Sequence, residues 1–403
     1  MAFLSIERDS SAFVVTGFQH FGGQHCETTA LRKVLAFTGQ HYSEPLLFGL
    51  AGGIAFVYWW TKKMPRPFVG GRNGRFPDFI ETCARRLGAS LDLTRTNRSR
   101  KGYENLKDVL RGNQPVVVYG DIAELPYFAT QRHFGGHAFV VYGLSESENC
   151  VFVSDRCEQP CTVTIQELAK ARGASCPPFT PRHSLLRVVR NEAPSDMATS
   201  VREAIRDSVK SLRSPPIRKL GLPGIKTFAD DLSIWPRRLT PEALPFALTD
   251  TFINLELAGT GGGAFRRMYA AFLREAKQWI DAPRLDDAIS HVDMAAAHWE
   301  TVAKAFLPDD VPALRRCREL LVKRNRLFEA QSEDAQASME DINERLREAM
   351  SDAILDSTLS SELLEHAREK VLACYALEGL ASSLLAEVCE SEAVNQASHE
   401  VRP

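Results

Sequence analysis

The pattern of apolar residues changes near residue 192 of this 403-residue chain. Before that point, short runs of β-branched and aromatic residues alternate with amphipathic stretches, which is typical of mixed strands and helices. After residue 196, almost every segment repeats its apolar residues at helical spacing. A proline-rich stretch at 177–181 and a polar stretch at 191–196 separate the two parts. The sequence therefore predicts an α+β domain over residues 1–192 and an all-α domain over residues 193–403.

The composition is that of an ordinary globular protein, with 44% hydrophobic residues, 25% charged residues and a net charge of −2. It does not indicate any particular class of binding partner. The charge is uneven, because bases exceed acids by eight between Lys62 and Arg111 and acids exceed bases by eleven after Gln331. We expect no nucleic-acid partner. Nine scattered cysteines and the absence of a signal-peptide pattern predict a reduced, cytoplasmic setting.

The longest apolar run, residues 46–60, holds three glycines and is too short to span a bilayer. It predicts a buried hairpin or a helix followed by a strand, and we expect no membrane span. Residues 61–75 are rich in bases, prolines and glycines, which predicts an exposed loop.

Cys26 is the first candidate for a chemical role. Two glycines precede it closely, and residues 30, 31, 34 and 35 then recur as apolar positions at helical spacing. Cys26 is therefore expected at the start of a helix, where unpaired backbone N–H groups and the helix dipole favour an anion such as a thiolate. A buried structural cysteine is the alternative interpretation, because free cysteines usually pack as small apolar residues.

His137 and Asp155 form the second candidate feature. His137 begins a predicted strand, and Asp155 ends the next one after a polar turn. If the two strands form a hairpin, both side chains lie at the same end of the ladder. The carboxylate can then orient the imidazole as a base for a thiol nucleophile. Taken singly, each residue is also compatible with a purely structural role.

Three short motifs resemble a known family. They are Gly-Gly-Gln-His-Cys-Glu-Thr-Thr-Ala-Leu-Arg at 22–32, Ser-Glu-Pro-Leu-Leu-Phe-Gly-Leu at 43–50, and Gly-Gly-His-Ala-Phe-Val-Val-Tyr-Gly at 135–143. The order of cysteine, histidine and aspartate resembles the papain-like superfamily, which includes the peptidase domains of bacteriocin exporters. The motifs themselves resemble the N-terminal domain of the butirosin-biosynthesis BtrH-type acyltransferase family, over residues 12 to about 190. Further motifs at 221–225, 235–236 and 259–269 resemble the helical domain usually found behind it.

This resemblance implies a papain-like catalytic domain and a helical domain that covers substrate or forms oligomers. It implies an N-acyltransferase of secondary metabolism, which moves an acyl group from an acyl carrier protein or coenzyme A thioester through Cys26 onto an amine. His137 would be the base and Asp155 its orienting residue. Gln19 or Gln24 would join the Cys26 backbone N–H in an oxyanion hole. Four residues within these motifs are predicted to bind substrate: Glu27, Gly135, Gly136 and Arg266.

No cofactor and no metal are expected, since phosphopantetheine arrives on the donor. The acceptor would be a small amine such as a polyamine or an aminoglycoside. The sequence is also compatible with a homodimer. Cys150, Cys157, Cys161 and Cys176 lack the paired spacing of a zinc site. The glycines at 259–263 lack the Lys-Ser/Thr of a phosphate loop, although a helix end there could take an anion. A papain-like peptidase or amidase, and a non-catalytic binding protein, remain the alternatives.

Overall fold

The computed structural model describes residues 12–72, 76–191, 196–353 and 355–399. Within these ranges there are nine β-strands: β1 (Ala12–Val14), β2 (Ile54–Trp59), β3 (Phe68–Arg72), β4 (Ala89–Thr94), β5 (Val116–Gly120), β6 (His137–Ser145), β7 (Cys150–Ser154), β8 (Cys161–Thr164) and β9 (Leu185–Asn191). The same ranges hold fourteen α-helices: α1 (Cys26–Phe37), α2 (Glu44–Leu50), α3 (Asp78–Arg86), α4 (Ser99–Arg111), α5 (Ile165–Gly173), α6 (Met197–Arg213), α7 (Gly221–Leu232), α8 (Trp235–Arg238), α9 (Ala243–Phe252), α10 (Arg266–Ala276), α11 (Leu285–Phe306), α12 (Pro312–Ala330), α13 (Ala335–Asp352) and α14 (Ser357–His399).

The chain divides into two compact units that are not contiguous in sequence. The first unit comprises Met1–Tyr42, Gly88–Glu192 and Arg326–Asp341, and the second comprises Ser43–Leu87, Ala193–Asn325 and Ile342–Pro403. One division falls between residues 192 and 193, as the sequence predicts. The prediction of two contiguous domains nevertheless needs correction, because two segments belong to the other unit.

Packing explains why residues 43–87 belong to the second unit and residues 326–341 to the first. In the second unit, the Phe48 ring of α2 stacks on Phe265 at 5.3 Å between centroids, and Gly49 lies so close to the Phe272 ring that a Cβ would clash at 2.0 Å. In the first unit, Phe328 stacks on Phe128 at 4.5 Å. Each segment therefore buries its apolar residues in a core whose other residues are distant in the sequence.

An antiparallel sheet forms the centre of the first unit. Its strand order is β4-β9-β5-β6-β7-β8, and β1 pairs with the far end of β6. Eight of the nine residues of β6 are buried, which fits a central strand with an almost continuous apolar run. Helices α4 and α5 contribute Leu106, Leu110 and Leu168 to the same hydrophobic core. The predicted α+β character of this part of the chain is confirmed.

The second unit is mostly helical, with one two-stranded sheet formed by β2 and β3. The predicted helix and strand within 46–60 are present as α2 and β2. The loop predicted for 61–75 is wrong in part, because β3 pairs with β2 through Trp59 and Phe68. Within the described part of 193–403, strand structure is absent apart from an isolated bridge between Val57 and Leu220.

One stretch, Ser357–Glu390 in α14, is long and apolar enough to cross a bilayer by length and composition, and 44% of its window is buried. Helix α14 packs against α11, α7 and α6 within the second unit. Its residues Ala367, Val371 and Leu385 are fully buried. The helix therefore forms part of the hydrophobic core of this unit. The expectation of no membrane span stays a prediction.

Candidate active site

Cys26 is the first residue of α1 and is partly exposed. The preceding residue, His25, caps the helix by accepting a hydrogen bond from the backbone N–H of Thr28 at 3.4 Å. Upstream, the N–H of Gly23 donates to the carbonyl oxygen of Arg156 at 2.9 Å, and a Cβ on Gly22 would lie 3.3 Å from the same oxygen. The glycines thus let the lead segment lie closely along the chain that follows Asp155.

His137 and Asp155 meet as the hairpin model predicts. Strands β6 and β7 are neighbours, with Val140 opposite Ser154, so Asp155 emerges at the end where β6 begins. His137 Nε2 lies 2.7 Å from Asp155 Oδ2, and both side chains are almost completely buried. Cys26 also interacts with His137, and this interaction is one of the causes that raise the pKa of the imidazole. Because Nε2 faces the carboxylate, Nδ1 is the ring nitrogen left for the thiol.

The electrostatics of this pair favour the charged forms. Burial lowers the pKa of His137, but the charge and hydrogen bond of Asp155 and the contact with Cys26 raise it to about 10. Burial raises the pKa of Asp155, yet the charge and hydrogen bond of His137, with the N–H of Arg156 and the hydroxyl of Tyr127, lower it to about 2. At neutral pH the pair is therefore an imidazolium and a carboxylate.

Asp155 is held by three groups that the sequence analysis missed. The Tyr127 hydroxyl donates to Asp155 Oδ2 at 2.8 Å, and the N–H of Arg156 donates to Oδ1 at 2.6 Å. The buried Lys33 ammonium donates to the Asp155 carbonyl. Tyr127 lies in a short 3-10 turn and Lys33 lies on α1, so only tertiary folding brings them to Asp155.

Aromatic rings surround the imidazole. The Phe128 ring meets His137 edge-on at 4.8 Å, and Phe139 lies parallel to it at 5.9 Å. Phe328, from the last segment of the first unit, stacks on Phe128. These rings exclude water from one side of the histidine, which strengthens its interaction with Asp155.

Gln19 and Gln24 lie on the lead segment, and both side chains are exposed. The segment is anchored between them by His20, whose Nδ1 lies 2.6 Å from Ser154 Oγ and whose Nε2 lies 3.1 Å from the carbonyl oxygen of Glu158. The backbone N–H of Cys26 belongs to the first turn of α1, where N–H groups have no partner inside the helix. The oxyanion role of the two glutamines stays a prediction.

Three of the residues predicted to bind substrate have structural roles instead. Glu27 is 1% exposed and accepts a hydrogen bond from the Tyr119 hydroxyl at 2.7 Å. Gly135 and Gly136 are buried, and a Cβ on Gly135 would lie 2.2 Å from the carbonyl oxygen of Phe179. Close packing therefore explains both glycines, and the carboxylate of Glu27 ties α1 to β5.

Arg266, the fourth such residue, needs the same correction. It belongs to the second unit, where it is fully buried and paired with Glu378 at 2.6 Å between Nε and Oε1. Trp299 Nε1 donates to the same carboxylate oxygen at 2.7 Å. The guanidinium also donates to two backbone carbonyl oxygens, so it braces the helical core rather than a substrate.

The glycine-rich turn at 259–263 also lies in the second unit. Glu256 accepts a hydrogen bond from the N–H of Gly263 at 3.2 Å, and burial raises the pKa of Glu256 to about 7. The chain's own carboxyl group thus occupies the position that an external anion would take. The turn does not support the anion site considered from the sequence.

Comparison with known families is informative for both halves of the chain. Residues 25–156 match the family model described as butirosin biosynthesis protein H, N-terminal. Residues 166–341 match a domain of unknown function (DUF4872). Among curated proteins, none matches the chain. The second family ends at residue 341, where the last segment of the first unit also ends.

Proposed function

Because the chain belongs to the BtrH-type family, with its N-terminal and DUF4872 domains in order, we propose that it is an N-acyltransferase of secondary metabolism with a papain-like catalytic domain. Its donor is an acyl thioester on a carrier protein or coenzyme A, and its acceptor is a small amine such as a polyamine or an aminoglycoside. The reaction passes through an acyl group on Cys26. The observation that carries the proposal is the buried His137–Asp155 pair, whose imidazole also interacts with Cys26.

Acyl transfer to the enzyme is the first step. Cys26 attacks the thioester carbonyl as a thiolate and forms a tetrahedral intermediate. The N–H of Cys26 and a glutamine of the lead segment stabilise the oxyanion. The carbon–sulfur bond of the donor then breaks, and the His137 imidazolium gives its proton to the departing thiol. Cys26 is left as a thioester of the acyl group.

Transfer to the amine completes the cycle. The acceptor nitrogen attacks the acyl-enzyme, and neutral His137 takes one of its protons. The bond between the carbonyl carbon and Cys26 Sγ breaks, which releases the amide and restores the thiolate and imidazolium. Asp155 keeps the ring oriented and stabilises its charge throughout, and Tyr127 keeps Asp155 oriented.

An exposed basic segment in the first unit supports a carrier protein as donor. Arg95, Arg98, Arg100 and Lys101 are exposed in the loop before α4 and in its first turn. Carrier proteins are commonly acidic, and complementary charge increases the rate of encounter. We expect acylation from a carrier protein to depend strongly on ionic strength, and acylation from coenzyme A to depend on it less.

Intact-protein mass spectrometry tests this function. Wild-type protein, Cys26→Ala and the partly exposed control Cys150→Ser are incubated with a set of carrier-protein and coenzyme A thioesters. We expect one acyl adduct in the wild type and the control, none in Cys26→Ala, and discharge by an added polyamine or aminoglycoside.

The peptidase alternative gives a different result. Labelling of Cys26 by a peptide-based thiol-protease probe, with no thioester forming an adduct, would replace acyl transfer with hydrolysis. If neither reagent modifies Cys26, the proposed catalytic set is wrong.

A further inference from the structure

A second group of cysteine, histidine and aspartate lies in the first unit, separate from Cys26. Asp121 follows β5 directly, and its carboxylate is fully buried. Its Oδ2 lies 2.6 Å from His133 Nδ1 and 3.1 Å from Cys176 Sγ. One oxygen, one nitrogen and one sulfur atom thus converge from three different segments of the chain, all within 4.8 Å of one another.

The group is built rather than accidental. Asp121 Oδ1 accepts hydrogen bonds from the N–H groups of Phe134 at 2.8 Å and Ala123 at 3.2 Å, which fix the carboxylate so that Oδ2 faces the other two side chains. Backbone donors to a ligating carboxylate are the kind of outer contact that orients metal ligands. His133 is 66% exposed, so its ring can shift to accommodate an ion.

These three atoms match the donor preferences of zinc, which takes thiolate sulfur, imidazole nitrogen and carboxylate oxygen. Around a tetrahedral zinc ion, ligand atoms lie about 3.3 to 3.8 Å apart. The two distances to Asp121 Oδ2 would therefore lengthen by a few tenths of an ångström or somewhat more, within the reach of small side-chain rotations. Binding would displace the thiol proton of Cys176.

An open pocket of about 560 Å³ lies against these residues, and all of its lining residues belong to the first unit. Glu124 and His183 line the same pocket, together with Lys170. We propose that Asp121, His133 and Cys176 form a binding site for a divalent transition metal, zinc first, with a fourth coordination position open to this pocket. Water or a small ligand takes that position, and Lys170 favours an anionic group on such a ligand.

Cobalt binding to the whole chain tests the site. After treatment with a chelator, Co²⁺ is added to wild type, Cys26→Ala, Cys176→Ser, His133→Ala and the control Cys150→Ser. A cobalt-bound thiolate gives a charge-transfer band in the near ultraviolet, so the spectrum reports the sulfur ligand directly. We expect one Co²⁺ per chain with this band in wild type, Cys26→Ala and Cys150→Ser.

Loss of a ligand should be severe. We expect Cys176→Ser to lose the band, and His133→Ala to bind Co²⁺ or Zn²⁺ at least about 100-fold more weakly, since even outer-shell changes cost 10- to 100-fold. Circular dichroism of the chelator-treated variants checks that they remain folded. A band that survives in Cys176→Ser and vanishes in Cys26→Ala would overturn the proposal, as would the absence of stoichiometric binding to the wild type. The site stands or falls independently of acyl transfer, because the assay measures no activity.

Discussion

The first unit contains two clusters with the same three side-chain types, joined in different orders. In the candidate active-site cluster, the imidazole of His137 interacts with both the carboxylate of Asp155 and the thiol of Cys26. In the second cluster, the carboxylate of Asp121 lies between the thiol of Cys176 and the imidazole of His133. The order decides the chemistry, because only an imidazole in the middle can take the thiol proton and be held by the carboxylate.

The two thiols lie in different surroundings. Burial and the hydrogen bond to the Asp121 carboxylate raise the pKa of Cys176 to about 12. Cys26 instead lies at the start of α1, beside a protonated imidazole. A carboxylate next to a thiol favours the thiol and disfavours the thiolate. The two clusters therefore share a composition but not an arrangement, and the comparison predicts a reactive thiol at Cys26 rather than at Cys176.

The largest effect is expected from removal of the central imidazole. His137→Ala should lower the rate of acyl-enzyme formation by about 10² to 10⁴-fold, which is the usual contribution of a positioned acid–base group. Quenched-flow mass spectrometry measures the rate, with His41→Ala as a control on an exposed histidine of the same unit. An equal loss of this rate in His133→Ala would contradict the distinction between the two clusters, because both would then contribute to acyl-enzyme formation.

Alkylation should distinguish the two cysteines next. In chelator-treated protein at neutral pH, iodoacetamide should modify Cys26 at least about 100-fold faster than Cys176, because the thiolate is the reactive form. Peptide mapping after timed quenching gives both rates in a single sample. Similar rates at the two positions would show that the order of the residues does not control thiol reactivity.

The pH dependence of stability comes third. The folded protein holds a proton on His137 up to about pH 10, whereas the unfolded chain releases it near 6.5. This stabilisation is complete below 6.5 and is lost as the pH rises towards 10. Between pH 7 and 9, the unfolding free energy of the wild type should fall relative to His137→Gln by up to about 1.4 kcal/mol per pH unit.

Urea denaturation at several pH values measures this slope, and His41→Gln should follow the wild type. On the acid side, the contribution of Asp155 is present above about pH 3.8 and is lost as the pH falls towards 2. Parallel profiles for wild type and His137→Gln would mean that the buried pair is not charged.

The smallest effect is expected from Tyr127→Phe, which removes one hydrogen bond to Asp155 and keeps the ring. Since His137 and Arg156 still donate to this carboxylate, the loss should be about 1 to 2 kcal/mol of stability and less than about tenfold in acylation. Thermal unfolding and the acylation assay measure the two quantities. A loss of acylation rate as large as that of His137→Ala would indicate that Tyr127 takes part in proton transfer.

Local sequence patterns predicted the three catalytic candidates because each lies at the end of a regular element. A helix start gave Cys26, and the pairing of two adjacent strands brought His137 to Asp155. The contacts behind them escaped prediction because they join distant segments: Tyr127 reaches Asp155 from a 3-10 turn, and Phe328 reaches Phe128 across two hundred residues. The sequence also does not show that Arg266 and Glu27 are buried. Both are charged residues within the family motifs, which predicts contact with substrate, whereas in the structure each is buried against a partner from a distant segment.

The segment Arg326–Asp341 has a consequence for how the protein is made. It supplies Phe328, Ala335 and Met339 to the hydrophobic core of the first unit. A ribosome that has finished residue 192 must therefore translate 133 more residues, 193–325, before this segment begins to appear. At 5 to 20 residues per second, the delay is on the order of ten seconds. During that time the first unit lacks part of its apolar core, so we expect chaperones to bind it and an isolated N-terminal fragment to express poorly.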